Sequence, residues 1–521
     1  MDNENNRPGE EDVDILEHHV DEDMEKIEIT ARRPFLRTLA LPELGGNTQS
    51  AHRLLAYSDA ILSIVATIMI LPIAHTEIRP DQELQESLHQ QLARKIAVYL
   101  MSFLIVTVAW AAHVRLFQVI DHLDDTVSLL NLACMMTITF LPYTFSLMAS
   151  FPEMPFGILF FCVCVIAIGL IQALMVLYGF NNPYLLNHQI QMSENQLFYR
   201  EHILKIIARG PIMCFFAGLL AFLSVPLAYT VLVLVIFLPH LLKLIKWVKE
   251  RSRGSVEEQP RSLDLFSFHL NEPLSKERLE GFSDGVYAIV ATLLILDICE
   301  NSVPDPTKVK EKTNNSLLEA LSEFGPAFLA YFGSFVTVGL LWFVHHSLFL
   351  CVTKSTRLMG LLNTFSLAFV GGLPLAYQLT SEFNVKSRNE LKAIQVSCFI
   401  IFFASIFQFA IWTAALFEER ETLHPSVRYG GKEHAFMFAK LSLYPCVSLV
   451  TFFLTCFLSK FSAAFFHLMQ IIVPFAFLAL RILVAVTMVI IQKITWPSRS
   501  GDVVLQDEQD AELPSPSLAD D

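Results

Sequence analysis

Two aspartates, Asp59 and Asp284, each follow a serine directly, stand six residues after an arginine, and open a long apolar run. The elements read Arg53-x-x-x-Tyr57-Ser58-Asp59 and Arg278-x-x-x-Phe282-Ser283-Asp284. A carboxylate one turn inside a membrane helix costs about 2.5–3.5 kcal/mol on insertion scales, so it needs a cation, a donor or water. Such a group either touches a passing cation or fixes the rotation of its own helix. The partners on offer are Arg53 and Arg278, His113 and His345, and Asn131 and Asn363, all falling towards one end of their helices. A plain helix start, with Ser or Asp capping free amides and Arg reaching the interface, is the local alternative.

One face of each run continues the pattern. Asp59 leads to Ser63 and Ile64, then Thr67, then Leu71; Asp284 leads to Ala288 and Ile289, then Thr292, then Leu296. Steps of three and four put these side chains on one stripe. Where such helices converge on an axis, aliphatic rings narrow a path and gate it by dewetting, while threonine hydroxyls replace part of an ion's hydration shell. Ordinary packing, with each threonine bonded to the carbonyl one turn back, gives the same spacing. Both readings stand at this stage.

The elements that position these residues are duplicated. Ile64, Val65, Ala66 and Thr67 match Ile289, Val290, Ala291 and Thr292 at an offset of 225. At an offset of 232, Trp110, His113, Phe117, Leu129, Leu130, Asn131, Leu141 and Pro142 match Trp342, His345, Phe349, Leu361, Leu362, Asn363, Leu373 and Pro374. A tandem duplication places function where the copies face each other.

With 53% hydrophobic residues and 43 phenylalanines among 521, the chain reads as an all-α polytopic membrane protein. About 20 apolar residues make one span. Spans fall near 56–75, 96–117, 127–149, 156–179, 206–224 and 226–245, then 282–299, 325–350, 357–380, 394–417, 434–457 and 464–491. Two six-helix repeats in parallel orientation, twelve transmembrane helices in all, follow at 51–247 and 273–495, joined by a cytosolic linker at 248–272. Of the net charge of −14, residues 1–28 and 501–521 carry −17, so the ends at 1–50 and 496–521 read as acidic disordered tails, with everything between 28 and 501 slightly basic. The nine cysteines lie in or beside apolar segments without zinc-site spacing. No cofactor or metal is expected, and nothing suggests nucleic acid.

Basic residues set the sidedness. Arg32, Arg33, Arg37 and Arg53 precede the first span, and Lys243, Lys246, Lys249, Arg251, Arg253, Arg261 and Lys276 lie between the halves. The positive-inside rule makes that face, and both termini, cytosolic. The sequon at Asn314 falls on the opposite, luminal face. His75, Asp297 and Glu300 lie at the luminal mouth, where they either titrate in an acidic lumen or serve as solvated helix ends. Lys440 stands near a cytosolic helix end, and Arg481 is deeper with no counterpart in the first half.

The doubled element, with the runs Phe282–Thr292 and Trp110-Ala111-Ala112-His113, resembles the transmembrane protein 175 family of endosomal and lysosomal potassium channels, in its animal two-repeat form. The resemblance covers about 50–490, with Tyr57 replacing Phe in the first copy. It implies a homodimer whose four six-helix units surround one pore lined by the first and seventh helices. It also implies a constriction at Ile64 and Ile289, with Leu71 and Leu296 on the same stripe, and a polar ring of Ser63, Thr67 and Thr292 tied to potassium preference. The family conducts potassium and protons in endosome and lysosome membranes, sets organelle voltage and luminal pH, and is linked to a kinase regulator.

Three classes stay in view. A cation channel fits the stripe, although no Thr-Val-Gly-Tyr-Gly filter is present. A secondary transporter of major-facilitator-like 6+6 architecture fits the span count, but no Gly-x-x-x-Asp-x-x-Gly-Arg-Arg run joins spans two and three. An intramembrane enzyme has only His345-His346 to draw on.

Overall fold

The computed structural model describes residues 49–74, 93–193, 195–252, 274–305, 309, 316–322, 324–382, 388–428, 432–458 and 462–495. Contacts divide the chain into Met1–Gln49 and Ser50–Asp521, and the architecture below is that of the second unit. The acidic tails, Arg32, Arg33, Arg37, the linker beyond Ser252, His75 and Asn314 lie outside the described residues.

Fourteen helices carry the argument. They are α1 (His52–Ile68), α2 (Ala93–Val119), α3 (Asp125–Thr139), α4 (Leu141–Ser150), α5 (Pro155–Asn181), α6 (Gln196–Ala221) and α7 (Val225–Ser252). The second half supplies α8 (Lys276–Asn301), α9 (Gly325–Cys351), α10 (Arg357–Val370), α11 (Leu373–Glu382), α12 (Arg388–Phe417), α13 (Lys432–Phe457) and α14 (Ala463–Thr495). Among the described residues, ten helical stretches are long and apolar enough to cross a membrane. This is an all-α polytopic membrane protein. The spans expected at 56–75 and 226–245 are also helical. The first breaks at Met69-Ile70 before a further turn at Leu71–Ala74, and α7 runs on to Ser252, so the linker begins later than composition suggests.

Two expected spans are broken in the same place in both halves. The third divides into α3 and α4 at Phe140, and the ninth into α10 and α11 at Gly371-Gly372. Pro142 and Pro374 are the cause, since each lacks an amide hydrogen and its ring collides with the carbonyl four residues back. At the second break the Tyr99 hydroxyl donates to the Ala368 carbonyl at 3.2 Å and fills the space a side chain at Gly371 would need. The first half is thereby tied to the second deep in the core.

The helix starts are legible locally. Asp124 accepts from the Val127 amide at 2.8 Å to cap α3, and Thr356, its counterpart at the repeat offset, accepts from Met359 at 3.3 Å to cap α10. Within the bundle α1 packs on α8, α8 on α9, α9 on α14, and α5 on α6. Phe160 and Leu170 of α5, Phe215 and Leu219 of α6, and Phe222 just beyond α6 stay exposed. Such a surface would be a liability in water, and it is the surface lipid requires.

Candidate functional site

Behind each signature helix stands the same relay of hydrogen bonds. In the first copy the Asn131 amide donates to Ser58 Oγ at 3.0 Å, its Oδ1 meets His113 Nε2 at 2.9 Å, and Ser58 donates to the Leu54 carbonyl. In the second, Asn363 donates to Ser283 Oγ at 2.9 Å, its Oδ1 meets His345 Nε2 at 2.8 Å, and Ser283 donates to Leu279. All six side chains are buried. Because the asparagine oxygen faces the ring, each imidazole carries its proton on Nε2. The relay fixes the rotation of α1 and α8 against the helices behind them.

The carboxylates are held differently from what the partner list suggests. Histidine and asparagine go to the serines; tryptophan goes to the aspartates. Trp110 Nε1 donates to Asp59 Oδ1 at 2.8 Å, and Trp342 Nε1 to Asp284 Oδ1 at the same distance. The signal was present, since Trp110 and Trp342 recur at the repeat offset and a buried indole N–H needs an acceptor.

From here the copies diverge. Arg278, from the second element, reaches Asp59 of the first: Nη2 donates to Oδ1 at 2.7 Å, and Nε sits 2.6 Å from Oδ2. The Nε contact is off the line of a hydrogen bond, so that prong is ionic. Phe282, 1% exposed, stacks on Trp110 with ring centroids 4.5 Å apart. The reciprocal residues lie open. Arg53 is exposed and meets no carboxylate among the described residues, Tyr57 is 50% exposed, and Asp284 and Trp342 are exposed on the other side. One copy of the contact is complete and the other is present as two unfilled halves.

The stripes follow this division. Ser63 and Thr67 are buried, and Ser63 lies against Gly285, where any side chain would collide with its hydroxyl. Thr67 donates to the carbonyls of Ser63 and Ile64, both at 2.9 Å. On α8, Ala288, Thr292 and Leu296 are exposed, and Thr292 donates to the Ile289 carbonyl. Ile64, Ile289 and Leu71 are each half-buried. Of the three residues expected at the luminal mouth, Asp297 faces the Tyr377 hydroxyl, while the Glu300 side chain and His75 lie outside the described residues.

The family profile described as endosomal/lysosomal potassium channel TMEM175 matches residues 53–142 and 278–374, which hold both elements and both relays. A Gallus gallus protein named endosomal/lysosomal proton channel TMEM175 is 69% identical over 481 residues, covering 92% of this chain and 95% of its own. Its namesake in Danio rerio is 63% identical over 518 residues, covering 97% and 99%. A Streptomyces collinus protein named as a potassium channel is 34% identical over 148 residues, 27% of this chain and 68% of that one. With relatives of this identity matched along nearly their whole length, the chain belongs to the TMEM175 family of endosomal/lysosomal channels.

Proposed function

We propose that two copies of this chain form a potassium- and proton-conducting channel of endosome and lysosome membranes, with both termini cytosolic, influencing organelle voltage and luminal pH. The observation that carries the reading is the half-filled contact. Within one chain, Arg278 and Phe282 dock on Asp59 and Trp110. A second copy related by a two-fold axis would bring its Arg53 and Tyr57 to Asp284 and Trp342. Each six-helix unit then offers one surface to the unit before it and another to the unit after it, and contacts of that kind close into a ring. Twelve spans in two parallel repeats per chain make a ring of four units.

In that ring α1 and α8 of each chain surround the axis, with Ile64 and Ile289 at the narrowest level and Leu71 and Leu296 beyond them. Ser63, Thr67 and Thr292 lie in the seams beside the constriction and set its bore, since the first two are already buried and Ser63 lies against Gly285 of α8. A tight aliphatic ring passes an ion only with most of its water removed, which favours the more easily dehydrated potassium over sodium. Asp59 is a staple rather than an ion ligand, because both its oxygens are engaged.

The names of the relatives, potassium channel in some and proton channel in others, support the permeants and the compartment. The test is recording from purified protein in liposomes under a potassium gradient. A steady unitary current is expected, and its absence with preserved flux would point to a carrier. Ile64→Asn with Ile289→Asn should raise current and admit sodium; unchanged reversal potentials would remove the two isoleucines from the path.

A further inference from the structure

Lys440 and Arg481 take no part in the relay or in the stripe, yet both stand in apolar helices. At about 1.5 Å per residue, Lys440 lies ~26 Å from the Phe457 end of α13 and Arg481 ~27 Å from the Ala463 end of α14. Those ends are joined by a short connection on one side of the bundle, so the two cations sit at one level. That level is near the far edge of a hydrocarbon layer about 30 Å thick. By the bias of basic residues it is the cytosolic edge.

The two groups are also neighbours sideways. Lys440 Nζ rests 5.5 Å from the centre of the Phe343 ring, and Phe343 meets Phe477 edge-on at 5.8 Å. Phe477 stands one turn before Arg481 on the same face of α14. The charges feel each other, and the carboxylate acting on Lys440 is Glu433, two turns nearer the helix start. Among the described residues neither cation has a salt-bridge partner. Arg481 is exposed, as are Leu478 and Ile482 beside it. Two like charges side by side at the rim of an apolar layer repel, and an anion between them removes that repulsion. A guanidinium fork and a point-charge ammonium together match a phosphate group.

We propose that Lys440 and Arg481 bind the headgroup phosphate of an anionic phospholipid in the cytosolic leaflet, with its acyl chains along Leu478 and Ile482. The site rests on the membrane placement of α13 and α14 and is independent of the ion path, so a failure of the pore reading leaves its test intact.

The experiment is native mass spectrometry of the full-length protein, exchanged from detergent into mixed micelles of dioleoylphosphatidylglycerol and dioleoylphosphatidylcholine. Wild type should retain the anionic lipid preferentially. Each lost charge should weaken that retention about fivefold, so K440Q/R481Q should fall about fivefold below either single variant and about 25-fold below wild type. The charge-preserving K440R/R481K should retain the lipid, and K440Q alone serves where the double variant fails to fold. Undiminished retention by the neutral variants, or no preference in wild type, would overturn the site. Competition by inorganic phosphate as effective as that by the lipid would assign the pair to a soluble anion and overturn the lipid.

Discussion

Arg278 and Asp59, 219 residues apart in sequence, meet in a two-pronged contact with only 13% and 6% of their side chains exposed. The pair joins the start of α8 to the start of α1. Stranding one partner of such a pair costs about 3–5 kcal/mol, far more than a surface pair, whose contribution is about 0–1 kcal/mol. Asp59→Asn and Arg278→Gln should therefore each lower the detergent melting temperature and the yield sharply. Combining them should add little, as a double-mutant cycle read from thermal unfolding will show. Additive losses would mean the two side chains act separately.

Trp110 has two contacts that one substitution separates. Trp110→Phe keeps a ring to stack on Phe282 but removes the N–H that serves Asp59. A hydrogen bond to a charged group is worth about 1.5–3 kcal/mol, so the loss should fall in that range and below that of Asp59→Asn. Chemical unfolding followed by the remaining tryptophans measures it.

Arg53 offers the opposite outcome to Arg278, although both occupy the same place in their elements. Arg53→Gln should leave each chain folded and weaken pairing, so mass photometry in detergent should show monomers at dilutions where wild type is paired. Arg278→Gln should lower folded yield at every concentration. A paired, fully active Arg53→Gln protein would remove the proposed reciprocal contact.

Asp124 gives a pH dependence at the start of α3. Burial raises its pKa, but donation from the Val127 amide and from the Tyr178 and Tyr184 hydroxyls outweighs this and leaves it below the ordinary carboxylate value. A depressed folded pKa means the stabilisation is fully present above the unfolded value and is lost as pH falls through the folded one. The melting temperature of wild type minus that of Asp124→Asn should be constant near neutrality and shrink only under acid conditions below the usual carboxylate range. The matching cap Thr356 does not titrate, so Thr356→Val should shift the melting temperature equally at every pH.

Much of this was readable before the fold. The period of the apolar runs located the helices. The recurring Asn and His pointed to a polar network behind each signature helix, because polar groups inside a membrane need partners on a neighbouring element. The sequence offers them to the aspartates, whereas the structure joins them to the serines. Three things were not legible. The breaks before Pro142 and Pro374 look like continuous apolar sequence, although the prolines gave the signal. The assignment of tryptophan to the carboxylates required knowing which side of α2 and α9 faces the signature helices. The crossing of Arg278 to the other copy's aspartate is a tertiary relation that leaves no trace in spacing, since an arginine six residues ahead of an aspartate suggests its own neighbour first.

Gly285 against Ser63 has one more consequence. The duplicate of Gly285 is Ala60 and the duplicate of Ser63 is Ala288, both uncovered in the single chain; in the proposed dimer the two would meet across the two-fold axis. Hydrogen with a hydroxymethyl on one side, methyl with methyl on the other: the summed bulk is the same and only its partition differs. Drift between the halves at this crossing is thus constrained in matched exchanges. A transplant of Gly285 or Ser63 alone between halves should jam or loosen the junction, whereas the two moved together should be accommodated.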